Sequence, residues 1–238
     1  MNSKIKIDWL ITVILILFII LTNISFAQTY KVEKVKGDVK AQIGASEKWL
    51  DVKDGMELNA NAILSTGNNS SLQIVNSNMK FVLKENSVLS VSDIKKMSLD
   101  DLILALAMED MINAPKKKEK TNSENTAVYG SEEKGDKKLT VSDDNFGTKR
   151  LNGAMQLSEN GFKESAIVAA KETYRKYPES KNNAAMRIFF ANNLNDLGLY
   201  EEAYNEFNSI KSLSLSAPQK KEVDDKLSFL SKKLISVQ

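Results

Sequence analysis

Cysteine and histidine are both absent from the 238 residues of this chain. Their absence excludes Ser-His-Asp and Cys-His nucleophiles, zinc centres built on thiolate or imidazole, histidine-ligated haem and thiol redox chemistry. It also excludes lipidation of an N-terminal cysteine and any disulfide, so the fold must be held by ordinary apolar cores. An excess of either charge is lacking too. With 33 Lys and Arg against 31 Asp and Glu, the net charge of +2 implies no basic face, and nucleic acid is not an expected partner. The charges alternate in sign along most of the chain, the pattern of a solvated surface. What remains for catalysis is a carboxylate pair or a Ser-Lys arrangement, and for the pair Asp51 with Asp54 or Asp143 with Asp144 are the candidates. A glycosidase needs its two carboxyl groups about 5 to 9.5 Å apart across a cleft. Neighbouring aspartates in loops more commonly solvate and shape turns, so no catalytic residue, metal ligand or cofactor is assigned.

The first 27 residues have the layout of an export signal. Lys4 and Lys6 precede an apolar run from Trp9 to Leu21 broken only by Thr12, and Ser25-Phe26-Ala27 supplies small residues before Gln28. Cleavage before Gln28 is the expectation. The alternative is an uncleaved anchor in the inner membrane, since Trp9 to Gln28 carries no charge and is just long enough to span. Either way the folded part is expected on the far side of that membrane.

From Tyr30 to Ile94 apolar and polar residues alternate, as in Leu72 and Ile74, in Met79, Phe81 and Leu83, and in Leu89 and Val91, with Gly, Asn, Asp and Ser between the runs. That period predicts half-buried strands of a small antiparallel sandwich or roll. Its expected core is Val32, Val35, Val39, Trp49, Leu58, Leu64, Leu72, Ile74, Phe81, Leu83, Leu89 and Val91. For Trp49 a sugar-stacking platform is the alternative role. Val35-Lys36-Gly37-Asp38-Val39, Gly55-Met56-Glu57-Leu58, Leu64-Ser65-Thr66-Gly67 with Ser71-Leu72, and Glu85-Asn86-Ser87 follow one another in the order of the FecR-type β domain, which residues 28–94 thus resemble. The chain departs from that family at Asn76-Ser77-Asn78, where an Asp-Gly turn is usual; Asn tolerates positive φ, so the turn can survive.

Ser98-Leu99-Asp100-Asp101 opens a predicted helix over 98–113, with Leu99, Leu102, Ile103, Leu106 and Met111 near helical spacing and Ala114-Pro115 stopping it. A face this apolar must dock, and docking onto the β domain is expected. Residues 114–147 are charged, beginning Lys116-Lys117-Lys118-Glu119-Lys120, and read as a flexible linker; Thr126-Ala127-Val128-Tyr129-Gly130 alone has strand propensity and suits an open sheet edge.

The final stretch, 148–238, is helical and repeats. Leu157, Gly161, Ala166, Thr173 and Pro178 align with Leu194, Gly198, Ala203, Ile210 and Leu215 at a constant offset of 37 residues. Gly161-Phe162-Lys163-Glu164-Ser165-Ala166 and Gly198-Leu199-Tyr200-Glu201-Glu202-Ala203 resemble the turn between the two helices of a tetratricopeptide repeat, with the extra length falling at Tyr177-Pro178-Glu179-Ser180. A closing helix begins at Ser216-Ala217-Pro218, its stripe of Val223, Leu227, Leu230 and Leu234 capping the array. By repeat position the concave face would present Met155, Ser158, Glu159, Arg187, Asn192 and Asn195, the candidates for contact with a partner.

The expected fold class is therefore separate all-β and all-α domains, a FecR-like sandwich or roll followed by tetratricopeptide-like α-hairpins. Both resemblances imply binding modules of a bacterial cell envelope, so the expected function is an exported, non-catalytic binding or scaffold protein for envelope proteins or cell-wall polymer, touching membrane only through an uncleaved N-terminal segment. An accessory role in envelope signal transduction is the alternative; the eight residues before the apolar run are too few for a sigma-factor-binding segment like that of FecR.

Overall fold

The computed structural model describes residues 29–44, 46, 48–76, 79–113 and 145–236. The expected export signal, the stretch 114–144 with Thr126–Gly130 and the Asp143/Asp144 pair, and Ser77 and Asn78 of the expected turn lie outside the described residues.

Among the described residues, eight strands form two antiparallel sheets. The first has the order β4 (Glu57–Leu58), β1 (Tyr30–Lys36), β6 (Ser71–Asn76), β7 (Met79–Leu83); the second has β3 (Trp49–Asp51), β2 (Val39–Gln42), β5 (Ile63–Thr66), β8 (Val88–Ser90). Alternation sets which face is inward: Val32, Leu72, Ile74, Phe81 and Leu83 of the first sheet meet Val39, Ala41, Leu64 and Leu89 of the second in one core. A register shift between Val32 and Lys34 in the β1–β6 ladder re-aims β1 partway along, which leaves Val35 only half-buried. Eleven of the twelve expected core residues pack in or against this core. Trp49 does not. It lies half-buried on β3, a three-residue edge strand.

Six α-helices follow among the described residues: α1 (Leu99–Asn113), α2 (Phe146–Glu159), α3 (Lys163–Lys176), α4 (Ala184–Asp196), α5 (Tyr200–Ile210) and α6 (Ala217–Ser236). α2 with α3 and α4 with α5 are hairpins whose second helices begin 37 residues apart, at Lys163 and Tyr200. Each hairpin turns at a glycine with positive φ, Gly161 at 87° and Gly198 at 80°, where a side chain would be strained. A 3₁₀ turn over Pro178–Asn182 makes the corner between hairpins. α6 buries Val223 and Leu230 against the second hairpin, with Leu227 packed beside them, so the last apolar face is closed as expected.

The β and α parts are separate along the chain but not in space. Leu151, Ala154, Leu157, Phe162, Ala166 and Tyr174 of the first hairpin belong to the same apolar core as the sheets. β7 and β8 are the edges of their respective sheets, and α2 packs across both, closing the end of the sandwich that those edges would leave open. Approach is close because Gly153 has no side chain: a Cβ there would stand 2.2 Å from the Val88 carbonyl oxygen. The sheets and the first hairpin thus share one core, while a second core gathers around Leu102, Ile188, Phe207 and Leu230.

One correction concerns α1. Its N-terminus carries the predicted capping box, with the Ser98 hydroxyl donating to Asp101 Oδ2 at 2.7 Å and the Asp101 N–H donating to Ser98 Oγ at 3.1 Å. The helix docks, however, on α3 and not on the sheets: Leu102 is fully buried in the distal core with Ile167, Ile188 and Leu194, and Arg175 of α3 pairs with Glu109 at 3.4 Å.

Candidate functional site

Polar side chains in the helical region gather at three places, and each is built by the spacing of one helix. On α2, Asn152, Gln156 and Glu159 stand at i, i+4 and i+7 and all reach the turn between β7 and β8. Asn152 Nδ2 donates to the Asn86 carbonyl at 2.8 Å, Gln156 Nε2 donates to Ser87 Oγ at 2.7 Å, and Gln156 Oε1 accepts the Lys84 N–H at 2.5 Å. Lys84 Nζ closes the row on Glu159 at 2.7 Å. Every buried polar atom of Gln156 is thereby satisfied, so the row locks the sheets to the hairpin. Nearby, burial pushes the Asp93 carboxyl up to about 6, with Glu172 adding to the rise and Arg150 and Lys95 opposing it. Burial also opposes ionisation of Glu172, but the Lys176 hydrogen bond and the Arg150 charge outweigh it and hold that carboxyl low.

The second gathering joins the hairpins. Glu206 of α5 accepts from Lys171 of α3 at 2.9 Å and from Arg187 of α4 at 2.7 Å; Arg187 also donates to Ser209. Burial would raise the Glu206 carboxyl, yet the two cations keep it below the ordinary glutamate range. A cavity of about 340 Å³ opens beside this cluster, walled also by Glu109, Arg175 and Tyr174. The buried Tyr174 hydroxyl has no hydrogen-bond partner among the described residues, and burial pushes its titration up.

The third is a groove of about 620 Å³ along α4 and α6, lined by Asn195, Pro218, Lys221, Glu222, Asp225, Lys226 and Phe229. Asn192 Nδ2 donates to Glu222 Oε1 at 2.9 Å across it. The Oδ1 atoms of Asn192 and Asn195 are both buried and accept no hydrogen bond among the described residues. Phe229 is 46 % exposed in the groove wall. The groove therefore sets an aromatic face among charged side chains, a combination suited to a ligand that carries polar groups beside an apolar one.

These contacts distribute the six candidate partner residues over several interfaces. Ser158 is buried and accepts from Asn193 Nδ2 at 2.9 Å, Glu159 faces the sheets, Arg187 is held in the Glu206 cluster and Met155 is half-buried on α2. Asn195 lines the α4–α6 groove, and Asn192 is bonded to Glu222 of its wall. Of the candidate acid pair, Asp54 accepts the Val35 N–H at 2.7 Å and so fastens β1, while Asp51 is exposed on β3. Trp49 lines a smaller cavity of about 200 Å³ with Asp38, Lys40 and Lys149.

No family model, curated protein or solved structure matches this chain. Among the described residues there is no group of three or more metal-ligating side chains, and no helix is long and apolar enough to cross a membrane.

Proposed function

We propose that this chain is an exported, non-catalytic binding or scaffold protein of a bacterial cell envelope, built from a FecR-like β part and a tetratricopeptide-like helical part, and that its partner is an envelope protein or cell-wall polymer. The reading draws on the order of the landmark residues. Gly37-Asp38 joins β1 to β2, Leu64-Ser65-Thr66 forms β5, and Glu85-Asn86-Ser87 makes the turn that α2 grips. It draws equally on the 37-residue hairpin repeat with its paired glycine turns. The observation that carries it is the α4–α6 groove of about 620 Å³, where exposed Phe229 stands among Lys221, Glu222, Asp225 and Lys226.

A photoreactive phenylalanine analogue at position 229 tests the reading in intact cells. A discrete envelope partner should be captured, and Lys221→Ala with Lys226→Ala, which strip two ammonium groups from the groove wall, should reduce the yield about tenfold, as expected for the loss of two hydrogen bonds of roughly 0.5 to 1.5 kcal/mol each. Capture that is unchanged by both substitutions, or no discrete adduct, would remove the groove as the binding site.

A further inference from the structure

Trp49 stands outside the core because of the register of its strand. Ala41 of β2 is paired with Leu64 on one side and Leu50 on the other and points inward. The neighbouring pairs therefore project from the outer face of the second sheet: Gln42 with Trp49 and Ile63, and Lys40 with Asp51 and Ser65. Between this face and the first turn of α2 lies the cavity of about 200 Å³. Trp49, Lys40 and Ser65 line it from the sheet, Phe146 and Lys149 from the helix, and Asp38 from the turn between β1 and β2.

Each wall has a distinct character. Phe146 is buried and held against Tyr177, with ring centroids 5.5 Å apart, so it forms a fixed apolar back. Trp49 is only half-buried, which leaves part of its ring open to the cavity. Asp38 and Lys40 approach to 3.8 Å with side chains 66 and 46 % exposed. A pair this open contributes little by itself, and both groups keep hydrogen-bonding capacity for a third partner. Gly67 makes room for the carboxylate, since a Cβ there would stand 3.3 Å from Asp38 Oδ2.

We propose that this cleft binds one pyranose unit of a glycan chain, with the C–H face of the sugar on the Trp49 ring and its hydroxyls shared between the Asp38 carboxylate, the Lys40 ammonium group and the Ser65 hydroxyl. A sugar ring has one apolar face and a rim of hydroxyls that each donate and accept. It therefore uses an acceptor-only carboxylate and a donor-only ammonium around an aromatic surface. A charged ligand would meet its own sign at Asp38 or at Lys40, and a wholly apolar one would strip both groups of water without replacing it. The volume falls below the roughly 300 to 1,000 Å³ of pockets that enclose a whole small molecule, as suits one ring of a longer polymer. An extended peptide would pair with the main chain of β3 instead, and three residues offer it few hydrogen bonds. The cleft shares no lining residue with the α4–α6 groove, so either can fail as a site without the other.

Tryptophan fluorescence makes the test direct. In the full-length chain, Trp9→Phe leaves Trp49 as the single tryptophan. The protein is titrated with chitotetraose, a β-linked N-acetylglucosamine tetramer, with maltotetraose, an α-linked glucose tetramer, and with tetraglycine. Trp49 emission should change saturably with one or both sugars and not with tetraglycine, and the two sugars together report whether an acetamido group is read. By calorimetry with the responding sugar, Trp49→Ala should weaken binding about tenfold or more, and Asp38→Ala or Lys40→Ala severalfold, with circular dichroism showing each variant folded. Emission that neither sugar moves would overturn the proposal and leave Trp49 as packing at a sheet edge. Sugar binding that a folded Trp49→Ala variant keeps in full would overturn it too, as would a response to tetraglycine alone, which would give the edge to a peptide.

Discussion

The two helical hairpins are built on one plan and docked on different surfaces. Leu157 and Leu194, Gly161 and Gly198, and Ala166 and Ala203 occupy equivalent positions, and each pair does the same work inside its own hairpin. Positions that differ decide what lies outside. Gly153 and Gln156 fit the first hairpin to the sheets, whereas their equivalents Phe190 and Asn193 are turned to packing between hairpins. A repeat therefore specifies a shape, and the residues outside its pattern specify a neighbour.

The sharpest way to break this comparison is to truncate equivalent leucines. Leu157→Ala and Leu194→Ala should each cost about 2 to 5 kcal/mol. In a chain starting at Gln28, where Trp49 is the single tryptophan, urea unfolding should show Trp49 fluorescence moving with the helical signal for Leu157→Ala and moving less for Leu194→Ala. Next in size is Gly153→Ala, whose methyl group must displace the Val88 backbone; about 1 to 3 kcal/mol of stability should be lost, although alanine favours helix. A comparable loss in a variant that keeps the β–α contact would sink the close-approach account.

Acid separates the regions by sign. The folded Asp93 carboxyl, near 6, lies above its ordinary value, so its contribution is fully present below that ordinary value and is lost as pH rises through about 6. At most about 3 kcal/mol is at stake. Glu206 is held low, so its contribution is present at neutral pH and is lost as pH falls below the usual glutamate range. Between about pH 4 and 6 the sheet-side contact should tighten while the distal cluster is unchanged; Asp93→Asn should abolish that slope in a pH series of chemical denaturation. The smallest effect is at the edge of the comparison: Ser98→Ala should cost about 1 kcal/mol and increase amide exchange in the first turn of α1.

Much of the architecture was legible because periodicity reports burial. The inward residues of β6 and β7, the capping box at Ser98 and the constant hairpin offset all follow from local pattern. Trp49 was misplaced because three residues at a sheet edge are too few for alternation to say which face is covered. The dock of α2 did leave a signal: a glycine inside a helix costs about 1 kcal/mol against alanine, and Gly153 stands between Asn152 and Gln156, whose spacing puts them on one face. Reading that glycine as a point of contact would have joined the two parts. The groove was half visible, since Asn192 and Asn195 were picked out by repeat position. Arg187, Glu159 and Ser158 were not separable from them, because only tertiary contacts show which polar groups are already satisfied.

Gln156 completes hydrogen bonds to residues that are made 72 and 69 positions earlier in synthesis. While a nascent chain is still short of α2, the two sheet edges and their shared interior wait uncovered, with strand N–H groups open to any passing chain. Termination or proteolytic loss upstream of Phe146 would therefore not release a smaller working unit. It would release a sticky one.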